Sequence, residues 1–290
     1  MQKLLIDFDF KNPLMPQPLS TTSTGYLVVG DLHGNFQKLL HWFCLIGALE
    51  MSPEYFALLV SNPKVHFNNF HKEVTVKETP IELLLLGDIF ADRNPYDFEK
   101  AKLLYWCSNH GVKFEILLSN HDLAFFQYLE DGIMRCSPAH KEHITDYLVH
   151  MVDHLQKHHY KLVRLDDTNK LFFSHAPMSV LTWENLIGVY PTEDDFEELN
   201  RATISDVFNG VYPTVLQKAV WERKLDWGWT NSTSIIENQL SGYLHISGHD
   251  TYEPTEYNLS LDNLCGKIPK SNACTQEMVI FVEYNNDSGG

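Results

Sequence analysis

The stretch Gly30-Asp31-Leu32-His33-Gly34-Asn35 decides the fold expected for this chain, because it joins an apolar run at residues 26–29 to a helical pattern at residues 35–47. The apolar run predicts a buried strand, and the glycines let the backbone turn sharply after it. Asp31 and His33 are two residues apart on this strand-to-loop turn, so both side chains can face one ion. A carboxylate and an imidazole together suit Mn²⁺, Fe or Zn²⁺.

The same arrangement of an apolar run followed by a polar turn recurs four more times. The runs lie at residues 83–86, 116–118, 171–173 and 244–246, and they end at Gly87-Asp88, Ser119-Asn120, Ser174-His175 and Ser247-Gly248-His249. Helices are predicted at residues 98–109 and 137–159 and after Thr192, and late strands at residues 257–262 and 278–284. Because α/β proteins place ligand sites at the carboxyl ends of their strands, the five turns predict one polar cluster.

These elements predict a single domain over residues 25–284. Residues 1–24, which contain three prolines after residue 12, are expected to form an extended N-terminal arm, and residues 285–290 a flexible tail. Two stretches, at about residues 50–80 and 190–242, are predicted as insertions into the domain. The first is expected to open with a short helix at Ser52-Pro53-Glu54, where a serine cap precedes a first-turn proline.

The composition is that of a globular protein, with 44% hydrophobic residues and a formal net charge of −16. Such a charge repels nucleic-acid phosphates, so no DNA or RNA partner is expected. The five cysteines are scattered without a CxxC pair, which predicts reduced thiols and a cytoplasmic location. No apolar stretch approaches the ~18 residues of a membrane span. Acidic residues interrupt the apolar start, which argues against a secretory signal. No feature predicts an oligomeric state.

The predicted cluster contains six oxygen or nitrogen donors: Asp31, His33, Asp88, Asn120, His175 and His249. If one carboxylate is shared, six such ligands can hold two divalent ions, which in two-metal sites lie ~3.5–4 Å apart. No thiol belongs to the set, which argues against a structural zinc site. Two divalent ions are therefore the expected cofactors, with Mn²⁺ first and Fe or Zn²⁺ as alternatives.

The five motifs, in this order, resemble the PPP superfamily of metal-dependent phosphoprotein phosphatases, whose pattern is GDxHG…GDxxDRG…GNHE…H…GH. The resemblance covers about residues 25–265. Residues 259–266 are similar to the IDTGC strand of bacterial members, and residues 220–223 to their LWSR segment. The resemblance implies the metallophosphoesterase-like fold, which is mixed α/β (α+β) with a central β-sandwich flanked by helices in four layers.

The resemblance also implies how the ligands are divided between the ions. One ion would be bound by Asp31, His33 and Asp88. The other would be bound by Asp88, Asn120, His175 and His249, so that the Asp88 carboxylate is shared.

The remaining matches imply a phosphate-binding and a catalytic set. Arg93, Arg223 and Asn120 would bind the substrate phosphate. His121 would be the general acid that protonates the leaving oxygen, with Asp92 orienting it, and a hydroxide bridging the metals would attack in line.

The second motif departs from the family pattern by one residue. Three residues, not two, separate Asp88 and Asp92, and Asn94 replaces the final glycine. A bulge that absorbs the extra residue would leave Asp92 and Arg93 in place. Without such a bulge, the pairing of His121 with Asp92 would be lost.

The function that the resemblance implies is hydrolysis of phosphoserine and phosphothreonine monoesters in proteins, with phosphotyrosine as a substrate if the insertions build a deeper pocket. A diadenosine tetraphosphatase-like enzyme is the alternative. Those relatives carry alanine at the aspartate of DRG, and Ala91 lies beside Asp92 here, whereas the presence of Asp92-Arg93 argues against this alternative. A phosphatase-like binding module without turnover is a third hypothesis. Because intracellular bacterial pathogens export phosphatases of this superfamily, an effector acting inside a host cell is a further hypothesis.

Overall fold

The computed structural model describes residues 1–9, 14–20, 23–91, 95–133, 144–178, 182, 184–186, 196–221, 242–249, 257–262 and 276–284. Within these residues the strands form two large sheets and one small one. The first large sheet has, in spatial order, β1 (Gln2–Asp7), β12 (Gln276–Glu283), β2 (Gly25–Val29), β5 (Ile81–Leu85), β6 (Phe114–Leu117) and β7 (Tyr160–Lys161). Strands β2, β5, β6 and β7 are parallel, and β12 runs antiparallel to both β1 and β2.

The second large sheet has the order β11 (Asn258–Ser260), β10 (Leu244–Ser247), β9 (Leu171–Ser174) and β8 (Val163–Asp166). Strands β9, β10 and β11 are parallel, whereas β8 is antiparallel to β9. The small sheet pairs β3 (Leu49–Glu50) with β4 (Thr75–Val76). All five apolar runs that were predicted as buried strands are strands in the structure.

The two large sheets pack face to face, and the alternation of side chains along each strand explains how. On β2, Tyr26 and Val28 lie in the core between the sheets, while Leu27 and Val29 lie in the core shared with the helices. Phe173 and Ile246 of the second sheet lie in the same core between the sheets as Tyr26 and Val28. Successive residues of a strand point to opposite faces, so a fully apolar strand is buried on both sides.

The helices are α1 (Phe36–Leu45), α2 (Pro53–Ser61), α3 (Pro63–His66), α4 (Phe70–Glu73), α5 (Asp97–Asn109), α6 (Asn120–Asp131), α7 (Asp146–His159), α8 (Phe196–Phe208) and α9 (Thr214–Trp221), with a 3₁₀ turn at Phe67–Asn69. Side-chain caps begin the helices that follow functional turns. The Asn35 side chain accepts from the Lys38 N–H at the start of α1, and Ser119 accepts from the Asp122 N–H at the start of α6. The predicted mixed α/β fold, a sandwich flanked by helices, is confirmed. None of the described helices is both long and apolar enough to cross a membrane.

The predicted N-terminal arm needs a correction. Residues 2–7 are extended as expected, but they form β1, which pairs along its whole length with β12 at the edge of the six-stranded sheet. The sheet therefore begins before residue 25. The half-exposed side chains of this edge strand lack the continuous apolar pattern of the buried strands, which is why the sequence did not reveal it.

The start of helix α7 and the two predicted insertions can be compared with the described residues. Helix α7 begins at Asp146, because Thr145 is extended and its side chain caps the helix by accepting from the Leu148 N–H; the predicted start at residue 137 lies outside the described residues. The first insertion contains the predicted helix capped by Ser52, and its Phe56 and Phe70 side chains are buried in the core. Residues 222–241 of the second insertion and the tail at residues 285–290 lie outside the described residues.

Candidate metal centre

Five strand ends bring the six predicted metal ligands to one place. Asp31 and His33 follow β2, Asp88 follows β5, Asn120 begins α6 after β6, His175 follows β9 and His249 follows β10. All six side chains are buried, and the most exposed of them, His249, has 7% of its surface accessible. A buried group of two carboxylates, three imidazoles and one amide is chemically suited to hard or borderline cations.

The ligand atoms fall into two overlapping groups. Asp31, His33 and Asp88 form one, and Asp31, His175 and His249 form the other, with all ligand atoms of a group within 4.8 Å of one another. Asp31 belongs to both groups. Asp88, which the resemblance implied as the shared ligand, belongs to the first group and also lies 3.5 Å from His175 Nε2 of the second.

The carboxylates and imidazoles of the two groups approach each other closely. His175 Nε2 lies 3.0 Å from Asn120 Oδ1 and 3.5 Å from Asp88 Oδ1. His33 Nδ1 lies 3.8 Å from Asp88 Oδ2. Oδ1 of Asp31 and Oδ1 of Asp88 are buried acceptors without a hydrogen bond. Unsatisfied buried carboxylate oxygens are costly unless a cation is present, so these residues fit a metal centre.

The electrostatics of the group also indicate a need for positive charge. Burial lowers the pKa of His175, but the Asp31 and Asp88 carboxylates outweigh burial and raise it to about 9. Burial raises the pKa of Asp31. Burial would also raise the pKa of Asp88, but the His121, His175 and His33 imidazoles hold it well below its ordinary value. A proton on His175 thus partly neutralises the carboxylates, and a divalent cation would do so more completely.

Strained backbone aims the ligands at the centre. His33, Asp88 and His249 have φ values of 50°, 55° and 60°, in the left-handed region that non-glycine residues seldom occupy. Gly248 lies so close to Asp31 that a Cβ atom there would stand 1.9 Å from Asp31 Oδ1. The motif glycine is therefore required by the close approach of this carboxylate.

The first two motifs are held together by backbone hydrogen bonds. The Leu32 N–H donates to the Gly87 carbonyl at 3.2 Å, and the Gly34 N–H donates to the Asp88 carbonyl at 2.7 Å. On the opposite side, the His249 N–H donates to Asp31 Oδ2 at 2.8 Å. These bonds position the ligand loops before any ion binds.

Asp262 and Leu86 orient two of the ligand imidazoles. Neither residue was predicted from the sequence to have a role. His33 Nε2 lies 3.2 Å from Asp262 Oδ1, which leaves Nδ1 facing Asp88. His175 Nδ1 lies 2.6 Å from the Leu86 carbonyl, so Nε2 is the nitrogen left for an ion. A ligand histidine commonly donates its other N–H in this way. The similarity of residues 259–266 to the IDTGC strand was the available signal for Asp262.

Fully buried charged residues form hydrogen bonds with the backbone of the same loops. The Lys38 ammonium donates to the Asp31 carbonyl at 2.7 Å and lies 3.0 Å from Oε1 of Glu277 on β12. Asp122 Oδ1 accepts from the N–H groups of Ile89 and Phe90 at 3.0 and 2.9 Å. Burial raises the pKa of Asp122 to about 7. Sequence alone gives no reason to place a lysine and a glutamate in a core, so these groups were missed.

The predicted acid His121 is half-buried at the start of α6, next to Asn120. Its Nδ1 lies 3.2 Å from the carbonyl oxygen of Ala91. Ala91 has a φ of 53°, in the left-handed region, and directly precedes residues 92–94, which lie outside the described residues. Asp92, Arg93 and Arg223 lie outside the described residues, and their implied roles stay predictions.

Comparison with known proteins identifies the fold. A family model described as the WipA-like phosphatase domain matches residues 82–147. The crystal structure of the phosphatase domain from the Legionella effector WipB is similar to this chain, with a TM-score of 0.60 and 17% sequence identity. The match covers 78% of this chain and 99% of that domain. No curated protein sequence matches significantly. The chain thus has the fold of a bacterial phosphatase domain, and the expected likeness to PPP-type phosphatases is confirmed.

Proposed function

We propose that this chain is a phosphoprotein phosphatase that hydrolyses phosphoserine and phosphothreonine monoesters at a centre of two divalent metal ions. One observation carries the proposal: six buried ligand side chains converge from five strand ends and include two carboxylate oxygens without a hydrogen bond. The phosphatase fold shared with the WipB domain supports the same class of enzyme.

Asp31, His33, Asp88, Asn120, His175 and His249 would hold the ions. Bound there, divalent cations would lower the pKa of water and neutralise the charge of a phosphate group. Mn²⁺ is the metal we propose, because the donor set has carboxylates, imidazoles and an amide oxygen but no thiolate among the described residues.

The chain itself would supply the leaving-group proton. A serine or threonine alkoxide is a poor leaving group, so its departure requires protonation by a positioned acid. His121 is half-buried beside Asn120, and its Nδ1 lies 3.2 Å from the Ala91 carbonyl, so its Nε2 is the nitrogen that would protonate the leaving oxygen. Arg93 and Arg223 would bind the phosphate oxygens, since the planar guanidinium matches their geometry.

The test is a substrate panel with Mn²⁺ present. It contains phosphoserine, phosphothreonine and phosphotyrosine peptides and diadenosine tetraphosphate. We expect phosphate release from the phosphoserine and phosphothreonine peptides. His121→Asn should keep its metal content and lose at least ~10²-fold in kcat, the lower bound for a general acid. His158→Asn, on the exposed surface of α7, is the matched control and should behave as wild type.

Two results would contradict the proposal. Preferential cleavage of diadenosine tetraphosphate would favour the alternative enzyme. No phosphate release from any substrate, with metal bound, would favour a phosphatase-like binding module.

An effector role is a separate part of the proposal. The WipB domain comes from a Legionella effector, and its fold is shared by this chain. We propose that this chain also acts inside a host cell after export from a bacterium. A reporter fusion that signals only in host cytosol tests this, and a fusion retained by the bacterium would contradict it.

A further inference from the structure

A buried ion pair on α5 is connected to His121 through the backbone of one residue, Ala91. Asp97 Oδ1 accepts from the Lys100 ammonium at 2.6 Å. The same oxygen accepts from the Ala91 N–H at 3.2 Å, and the Ala91 carbonyl faces His121 Nδ1 at 3.2 Å. The side chains of Asp97 and Lys100 are 1% and 0% exposed. Both ends of the Ala91 peptide region are therefore engaged, one by the ion pair and one by the imidazole.

The connection lies where the second motif has its extra residue. Ala91 adopts a φ of 53°, a conformation that persists in a non-glycine residue only when its surroundings hold it. The two preceding residues, Ile89 and Phe90, are held by Asp122. Asp97 provides the corresponding contact for Ala91, and it therefore determines where the Ala91 carbonyl points.

Lys100 adds a second constraint. Its ammonium also donates to the Gly34 carbonyl at 2.8 Å, so it links the loop of the first motif to Asp97. Without this partner, the buried carboxylate would strongly destabilise the folded protein. Lys100 thus holds the Asp97 side chain in place and joins it to the loop of the first motif.

We infer that Asp97 is a positioning residue for His121 and that it acts through the backbone turn at Ala91. This inference rests on the proposed function, in which His121 is the general acid. With Nδ1 donated to the Ala91 carbonyl, Nε2 is the nitrogen presented to the leaving oxygen. Loss of the Asp97 acceptor would let the Ala91 carbonyl turn away and remove the contact that it makes with His121 Nδ1.

Two double variants isolate the contact. Asp97→Asn/Lys100→Met keeps an acceptor oxygen for the Ala91 N–H, whereas Asp97→Leu/Lys100→Met has a side chain of similar shape without one. Both lack the ion pair and the bond to Gly34, so neither leaves a buried charge unpaired. They differ in the side chain at residue 97, which can accept from the Ala91 N–H only in the asparagine variant. Lys38→Met/Glu277→Met, which removes another buried lysine bonded to the first motif together with its charged partner, is the control for effects on metal binding.

The readout is the dependence of kcat on the leaving group. Phenyl phosphate needs protonation of its leaving oxygen, whereas 2,4-dinitrophenyl phosphate releases a stable anion. We expect the leucine double variant to lose about 10-fold or more on phenyl phosphate relative to the asparagine variant, within the range of general-acid effects. Its rate on 2,4-dinitrophenyl phosphate and its metal content should match those of the asparagine variant. Equal rates of the two variants on phenyl phosphate, or equal losses on both esters, would overturn the inference.

A second measurement does not depend on catalysis. In the metal-free protein labelled with ¹⁵N-histidine, the Nδ1–H of His121 should be visible and protected in wild type and in the asparagine double variant. It should be lost in the leucine double variant. If wild type hydrolyses neither ester but this pattern holds, the proposed function fails and the positioning stands. If the Nδ1–H is unchanged in the leucine variant, the positioning role is refuted.

Discussion

Replacing Lys38 with methionine tests how a buried charge supports the metal loops. The Lys38 ammonium and the Glu277 carboxylate are 3.0 Å apart, and both side chains are fully buried. Lys38→Met keeps most of the volume but leaves Glu277 buried without a counter-charge. Breaking a buried pair in this way typically costs about 3–5 kcal/mol of unfolding free energy. For a domain of this size that corresponds to a fall in Tm of roughly 6–20 °C.

The loss should depend on pH in a defined direction. Burial raises the pKa of Glu277, while Lys38 opposes that rise. In Lys38→Met the opposing charge is gone, so the folded-state pKa of Glu277 rises further above its unfolded value. A carboxyl with a raised folded pKa contributes stability at low pH that is lost as the pH rises. Lys38→Met should therefore be less destabilised at about pH 5 than at about pH 8.

The assay is urea unfolding of the metal-free protein, with Lys38→Met/Glu277→Met as the partner variant. The double variant has no buried charge, so we expect it to recover most of the stability lost in the single variant. It still lacks the bond to the Asp31 carbonyl, so its Mn²⁺ affinity should stay below that of wild type. A double variant that is no more stable than Lys38→Met would refute the reasoning from the ion pair.

Three further predictions follow from single contacts. Asp262→Ala should weaken metal binding by roughly 10–100-fold, because it frees the His33 ring; an unchanged Mn²⁺ affinity by calorimetry would contradict this. Gly248→Ala should displace the Asp31 carboxylate and reduce the metal content measured by mass spectrometry, because the added Cβ would meet it at 1.9 Å; a full metal complement would count against that geometry. Burial lowers the pKa of His245 to about 3. Below about pH 6.5 the unfolded chain therefore binds one more proton than the folded chain at this site, and the unfolding free energy falls by up to about 1.4 kcal/mol per unit of decreasing pH. His245→Gln should remove this part of the acid sensitivity in urea unfolding, and an identical slope in wild type and variant would disprove it.

The part of the fold nearest the metal centre was predictable from the sequence because its signals are local. Each buried strand is a continuous apolar run that ends at a polar turn, and β2, β5, β6, β9 and β10 all follow this rule. The helix caps at Asn35, Ser52 and Ser119 are local as well. Apolar runs and capping residues decide these elements through contacts within a few residues, so the pattern alone was enough.

The edge strand and the supporting charges depend on contacts between distant parts of the chain. β1 exists because β12 pairs with it, and its own half-exposed sequence does not predict a strand. Lys38 and Glu277 are charged residues of the kind normally found on a surface. Their burial follows from the approach of β12 to the first motif, which no local pattern encodes.

The extra residue in the second motif shows which details of the metal centre the sequence could not predict. The sequence left two alternatives, a bulge that absorbs the residue or loss of the His121–Asp92 pair, and the described residues end at Ala91, whose backbone is left-handed. The sequence could not show that the Ala91 carbonyl would face His121 or that Asp97 would accept from the Ala91 N–H. Such details depend on the direction of single peptide groups, which composition and spacing do not determine.

The central claim is a two-metal phosphatase centre, and the most direct test is reconstitution of the metal-free chain. The chain is stripped with a chelator, titrated with Mn²⁺, and assayed for phosphate release from a phosphoserine peptide, with Asp88→Asn alongside. We expect activity to return as about two ions bind per chain, and we expect Asp88→Asn neither to retain both ions nor to recover activity. A stripped chain that hydrolyses the peptide at the wild-type rate, or an Asp88→Asn variant that binds and turns over normally, would contradict it.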